Sequence, residues 1–153
     1  MPQKKELLER YLNQCVHTVS GNVVRMEAAE LAQSLRHKGQ WMQEHIRRTE
    51  WVTDSKGNGW FNGYYDNQGR ALEGEKNGKV SMMLTGQVFA IMNETSTVQQ
   101  TEQIINSAKA YLFDEHCGGY SLNTDFGEIR PVKGRMFGFA SGEKENEAVF
   151  SHM

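Results

Sequence analysis

The chain has 153 residues, 17 Lys and Arg against 19 Asp and Glu, and a formal net charge of −2. That length suits one domain with one hydrophobic core, and the interspersed charges lack the basic stripe of a nucleic-acid binder. No run of about 18 apolar residues is present to span a membrane.

The N-terminus, Met1-Pro-Gln-Lys-Lys-Glu, lacks the apolar centre of a signal peptide. Cys15 and Cys117 are too few and too far apart for a disulfide framework. They read as free, half-buried thiols in a reducing cytoplasm.

Leu7, Leu8, Tyr11, Leu12, Cys15, Val16 and Val19 recur at helical spacing and predict a helix over 3–19 with one apolar face. Gly21-Asn22 breaks it. Val24, Ala28, Leu31, Leu35, Met42 and Ile46 then predict a second helix over 23–48, whose closing Arg47-Arg48 complement the negative end of the helix dipole. Two helices across a short break read as an antiparallel hairpin.

Residues 50–80 are dense in Gly, Asn, Asp and aromatics, and predict a long polar loop with short strands. Residues 81–94 are apolar nearly all round and predict a buried helix. Its Thr85 and Gln87 then need partners, from the fold or from a sugar. Thr97-Val-Gln-Gln100 has capping-box spacing and opens a helix over 98–113 with Ile104, Ile105, Ala108, Tyr111 and Leu112 on its apolar face. A second polar loop covers 118–143, and 144–153 resembles the first turns of a further helix. Helix pairs separated by long polar loops suggest an α/α toroid or solenoid.

The last twenty residues concentrate the chemistry. Arg135, Lys144, Glu145, Asn146 and His152 stand among aromatics, Met and glycines, a mixture suited to a pocket wall that binds something polar. No P-loop, Gly-rich dinucleotide turn or Gly-x-Ser-x-Gly elbow occurs. His17, His37, His45, His116 and His152 show no ligand-like pairing, so no metal is expected. Asp54, Asp66, Asp125, Glu128 and Glu145 leave a carboxylate pair for sugar chemistry open.

Trp60-Phe-Asn-Gly-Tyr-Tyr-Asp-Asn-Gln-Gly69, Ser121-Leu-Asn-Thr-Asp-Phe-Gly-Glu128 and Gly134-Arg-Met-Phe-Gly-Phe-Ala-Ser-Gly-Glu-Lys-Glu-Asn146, continuing to His152, resemble the glycoside phosphorylases of glycoside hydrolase family 94. That family includes cellobiose, chitobiose and β-1,2-oligoglucan phosphorylases. The resemblance begins near residue 25, and its closest look is to the β-1,2-oligoglucan branch.

It implies a mainly α fold, a slice of an (α/α)₆ barrel built of helical hairpins with long polar loops and short strands. It also implies reversible, inverting phosphorolysis of a β-glucoside to glucose 1-phosphate, with inorganic phosphate as co-substrate and no cofactor. Phosphate is itself a good nucleophile, so such an enzyme needs one carboxylic acid for the leaving oxygen and cationic or N–H donors for the dianion. By the same resemblance His152 contacts phosphate, Lys144 and Glu145 contact the acceptor sugar, and Phe139 holds the family's aromatic position.

Two departures stand out. Glu147 occupies a position where the family commonly has Gly, and the Asp-Trp-Asn-Asp type motif that carries the general acid is absent. The general acid is therefore unassigned. The expectation is a partial catalytic domain, inactive alone, that handles a β-glucan oligosaccharide or glucose 1-phosphate. It would self-associate, or await a partner chain, through apolar rows such as Met82, Leu84, Phe89 and Ile91. The alternative is a non-catalytic carbohydrate-binding or interaction module.

Overall fold

The computed structural model describes residues 2–15, 21–127 and 138–150. The chain divides into two units, residues 1–37 and 38–153.

The first unit holds α1 (Pro2–Cys15) and the opening of α2 (Ala28–Thr49). The predicted helix over 3–19 is present as far as Cys15, and 16–19 lie outside the described residues. The second helix starts at Ala28 rather than 23, its first turn closed by Leu31 N–H donating to the Glu27 carbonyl. The β-branched pair Val23-Val24 ahead of it has weak helix propensity. Leu7, Leu8, Tyr11 and Leu12 on α1, and Leu31 and Leu35 on α2, are all exposed. The apolar faces that a helical hairpin would join are thus left unburied.

The second unit is organised by short antiparallel ribbons. β1 (Trp51–Thr53) pairs with β2 (Gly59–Phe61), Trp51 opposite Phe61. β3 (Gly74–Lys76) pairs with β4 (Lys79–Ser81) across Asn77-Gly78. Both turn residues have positive φ, 54° and 75°, the conformation a two-residue hairpin demands. Then follow α3 (Leu84–Met92), α4 (Val98–Tyr111) and a last ribbon of β5 (Phe113–Asp114) with β6 (Gly119–Tyr120).

Strand alternation at β2 divides the core. Trp60 packs with Met82, Leu84, Ala108 and Leu112, while its neighbour Phe61 packs with Ala90 and Ile104. Ile46 of α2 joins the second group. Gly59 is required where it stands, because a Cβ there would lie 2.4 Å from the Trp51 ring.

α4 opens with the predicted capping box. Thr97 Oγ1 accepts from Gln100 N–H, and the Gln100 side chain accepts from Thr97 N–H. Arg47, expected to serve its own helix end, instead donates to the Thr95 and Glu94 carbonyls of the α3–α4 loop.

Other expectations are corrected. α3 starts at Leu84 because 79–81 are committed to β4. It is not buried all round: Phe89 is 54% and Met92 70% exposed, while Leu84, Gln87 and Ala90 turn inward. Nor do Met82 and Leu84 belong to an exposed apolar row, since both lie in the core. α4 ends at Tyr111, where β5 takes over. Residues 144–150 form turns and isolated bridges instead of a helix, with Lys144 and Glu147 at positive φ and Val149 paired to Ser121. Both cysteines are free, but exposed.

Among the described residues, no helix is long and apolar enough to cross a membrane.

Candidate functional site

Met83, the residue before α3, is where the conspicuous polar segments meet. Its position pairs with Asn123 in an antiparallel bridge, flanked by Leu84 N–H donating to the Leu122 carbonyl at 2.7 Å and Thr124 N–H to the Met82 carbonyl at 3.0 Å. Its own N–H donates to Glu73 Oε2 at 2.8 Å, and Glu73 Oε1 accepts from Gly63 N–H at 2.8 Å. Residues 60–69 and 121–127 are thereby tied to one point.

Asn123, 1% exposed, carries the connection onward. Its Oδ1 accepts from Glu147 N–H at 2.8 Å, and its Nδ2 donates to the Thr124 carbonyl and to Asn146 Oδ1 at 3.2 Å. Asn146 Nδ2 in turn donates to the Phe139 carbonyl at 2.9 Å. Gly142 N–H closes on the Asn146 carbonyl, and Leu122 N–H on the Ala148 carbonyl. Neutral amides satisfied on both sides, Asn123 buried and Asn146 half-buried, fix a backbone without adding charge.

On this frame stand the predicted site residues. Lys144 Nζ lies 4.9 Å from the centre of the Phe139 ring, so two of them come together directly. Such a contact at an exposed site contributes about 0.5–1 kcal/mol, enough to bias the ammonium without immobilising it. Lys144 and Glu145 are both exposed. An ammonium supplies three donors and a carboxylate only acceptors, which together match the hydroxyls of a sugar. His152 and Arg135 lie outside the described residues.

Glu147, the departure from the family pattern, turns its carboxylate away to accept from Ser141 Oγ at 2.8 Å. Its φ of 58° is the left-handed conformation that glycine takes without penalty.

Of the other candidate acids, Glu128 lies outside the described residues, and the rest are bound within the fold. Asp66 is buried; it accepts from the Gln68 and Arg70 N–H groups and pairs with the Arg70 guanidinium at 2.7 Å, holding a turn. Asp54 accepts from the Tyr111 hydroxyl, Asn58 Nδ2 and the N–H groups of Lys56 and Asn58. Burial works to raise its pKa, but those bonds together outweigh it and hold the group at about 2. Asp125 pairs with Lys79 on the surface. Gln87 is satisfied by the fold, exchanging hydrogen bonds with both backbone groups of Phe61. It needs no sugar.

Sequence reasoning missed Glu73. It sits in Leu72-Glu-Gly-Glu-Lys-Asn-Gly-Lys79, which reads as a solvated turn, yet it is 2% exposed. Burial pushes its pKa up to about 7, against the pull of the Gly63 and Met83 N–H groups. Each of its oxygens accepts from a backbone donor and the side chain is buried, so it is not presented at the surface.

A surface depression bordered by Arg47, Glu94, Thr97 and Glu102 lies at the start of α4 and contains none of the predicted site residues. Its cation is already committed to backbone carbonyls.

The family model of the glycosyl hydrolase 94 superfamily catalytic domain matches residues 20–153. The chain belongs to the glycosyl hydrolase 94 superfamily. Membership ties it to carbohydrate metabolism, with carbohydrate and phosphate as the family's substrates in general. No curated protein matches the chain. All three segments that carried the resemblance fall within the matched residues. The described parts of the three are connected through Met83, Asn123 and Asn146.

Proposed function

We propose that this chain forms the sugar-contacting side of an inverting phosphorylase site for β-glucosides, in the manner of cellobiose or β-1,2-oligoglucan phosphorylases. In this reading its helices belong to an (α/α)₆ barrel. Lys144 and Glu145 hold the acceptor sugar against Phe139, and His152 contacts the inorganic phosphate of a reversible phosphorolysis that yields glucose 1-phosphate. What carries the reading is the braced Lys144–Phe139 turn: charged side chains at the surface on a backbone fixed by the neutral amides of Asn123 and Asn146.

The chain alone is inactive in this proposal. The Asp-Trp-Asn-Asp motif is absent from the sequence, and among the described acids Asp54, Asp66 and Glu73 are bound to their own fold. Lack of a general acid removes a factor of about 10²–10⁴ in rate. The reaction then takes place in cytoplasm only where a further copy or a partner chain completes the barrel and the site.

The test is calorimetry with glucose 1-phosphate and β-glucan oligosaccharides, beside an assay of phosphate release. We expect sugar binding without turnover, weakened at least tenfold by Lys144→Ala, with the melting temperature lowered by no more than about 4 °C because the side chain is exposed. Turnover by the isolated chain would refute its inactivity, and the absence of binding would refute the sugar-contacting role.

A second reading, a non-catalytic carbohydrate-binding module, is favoured by the same missing acid. Phosphate separates the two. A phosphorylase site shows sugar affinity that changes with phosphate and is sensitive to His152→Ala, whereas a binding module is indifferent to both.

A further inference from the structure

Two acidic side chains among the described residues are buried, Asp66 and Glu73. Asp66 has the Arg70 guanidinium beside it. Glu73 has no cation among the described residues, only two backbone donors drawn from segments twenty positions apart in sequence, Gly63 and Met83. A Cβ on Gly63 would lie 3.5 Å from Glu73 Oε1, so the backbone there comes close to the carboxyl. The backbone N–H of Glu73 itself donates to Asn62 Oδ1.

We infer that Glu73 is a proton-operated latch and a positioning residue for the Lys144 turn: ionised, it ties residue 63 to residue 83, and protonated, it lets go of one of them. A carboxylate accepts at both oxygens. A carboxylic acid converts one of them into an O–H donor, which then faces a backbone N–H donor. One of the two ties is lost on taking up a proton from solvent. Met83 is the point through which that loss spreads, because its strand position is bridged to Asn123, and Asn123 holds Asn146 and Glu147.

The surroundings place the switch near neutrality. From the β2 side Glu73 meets Asn62 and Gly63, and from the start of α3 it meets Met83, all uncharged. Its hydrogen-bond network reaches the acid Glu50 through Asn62. Along the chain, Glu75 is bonded to Ser55 and Lys76 donates to the Ala71 carbonyl, and no cation among the described residues bonds to Glu73 itself. Burial accordingly pushes its pKa from 4.5 to about 7. A group raised in the folded state stabilises the fold fully below its unfolded pKa and loses that contribution as pH rises through the folded one. Glu73 therefore withdraws stability between about pH 4.5 and 7 while its latch closes.

The inference deepens the reading of the Lys144 turn as the ligand-facing site, yet its test needs no ligand, so the two fail separately. The side-chain carboxyl carbon of Glu73 and the amides of Gly63, Met83, Asn146 and Glu147 are followed by NMR from pH 4 to 9. One shared midpoint near 7 is expected at all of them, and Glu73→Gln should abolish it. A midpoint near 4.5, shifts that stop at Gly63 and Met83, or a titration that survives in Glu73→Gln would each overturn the latch. If the variant does not fold, the Glu73 carboxyl carbon and the Asn146 and Glu147 amides of the unmodified chain decide the question.

Discussion

Residues 50–83 and residues 138–150 are both polar and mostly non-helical, yet they use charge in opposite ways. In the first, Asp54, Asp66 and Glu73 all turn inward onto backbone N–H groups, so the acids are the means by which the segment folds. In the second, neutral Asn146, held by Asn123 from the 121–127 segment, braces the backbone, and Lys144 and Glu145 remain at the surface. A loop that spends its carboxylates on itself has little left for a ligand. A loop held by amides can leave Lys144 and Glu145 exposed.

The largest expected effect strikes the first region. Trp60 is 0% exposed and sits at the centre of the main core group, its indole N–H donating to the Ser81 carbonyl. Trp60→Ala should cost about 3–5 kcal/mol in urea denaturation. Lys144→Ala measured in the same way should cost no more than the exposed cation–π contact it removes, about 0.5–1 kcal/mol. A loss of similar size in both variants would erase the distinction between a folding loop and a presenting loop.

A smaller effect tests the inward carboxylates. Removing the acceptor in Asp54→Ala leaves the Tyr111 hydroxyl and the Asn58 amide without it, for about 1–2 kcal/mol after allowance for partial exposure. The folded-state pKa is held down at about 2, from an ordinary 3.8, so this stability is present above about pH 4 and lost as pH falls through 2. The gap between the unmodified chain and Asp54→Ala should therefore be full at pH 7 and largely closed at pH 2. A gap independent of pH would mean that the carboxylate charge does not hold the turn. Glu73 has the reverse sign, losing stability as pH rises, so the pH profile separates two acids of one segment.

What the sequence revealed follows the range of each interaction. The capping box Thr97–Gln100 was legible because both partners lie three residues apart, and the structure contains both bonds. The aromatics of 50–80 signalled short strands, but not that Trp60 and Phe61 would serve opposite core groups. Glu73 was illegible, since its burial is imposed by residues 63 and 83, which local pattern cannot see. The helix expected over 144–153 failed for a related reason. Bridging of Val149 to Ser121 and bonding of Glu147 N–H to Asn123 hold the segment extended or turned, whatever its local spacing suggests. Lys144 and Phe139, expected at the site from the family resemblance, do lie together, while the amides that brace them depend on tertiary pairing.

The smallest predicted effect concerns Glu147, the one site-loop position that departs from the family's usual glycine. Its φ of 58° places a Cβ in the left-handed region, a strain of roughly 1 kcal/mol for a non-glycine residue. Against that strain stand the bond from Ser141 Oγ and the smaller unfolded-state entropy of a residue with a side chain. Glu147→Gly removes all three, so its net change should lie within about 0.5 kcal/mol of zero. Glu147→Ala keeps the strained Cβ and loses the bond, and should be less stable than Glu147→Gly by about 0.5 kcal/mol, the strain less the unfolded-state entropy that Ala retains. Equal stability of the two variants would show that the turn relaxes out of the left-handed conformation when the carboxylate is gone. In that case the Ser141 bond, and not the Asn123 brace on Glu147 N–H, would be what sets the backbone on which Lys144 is presented.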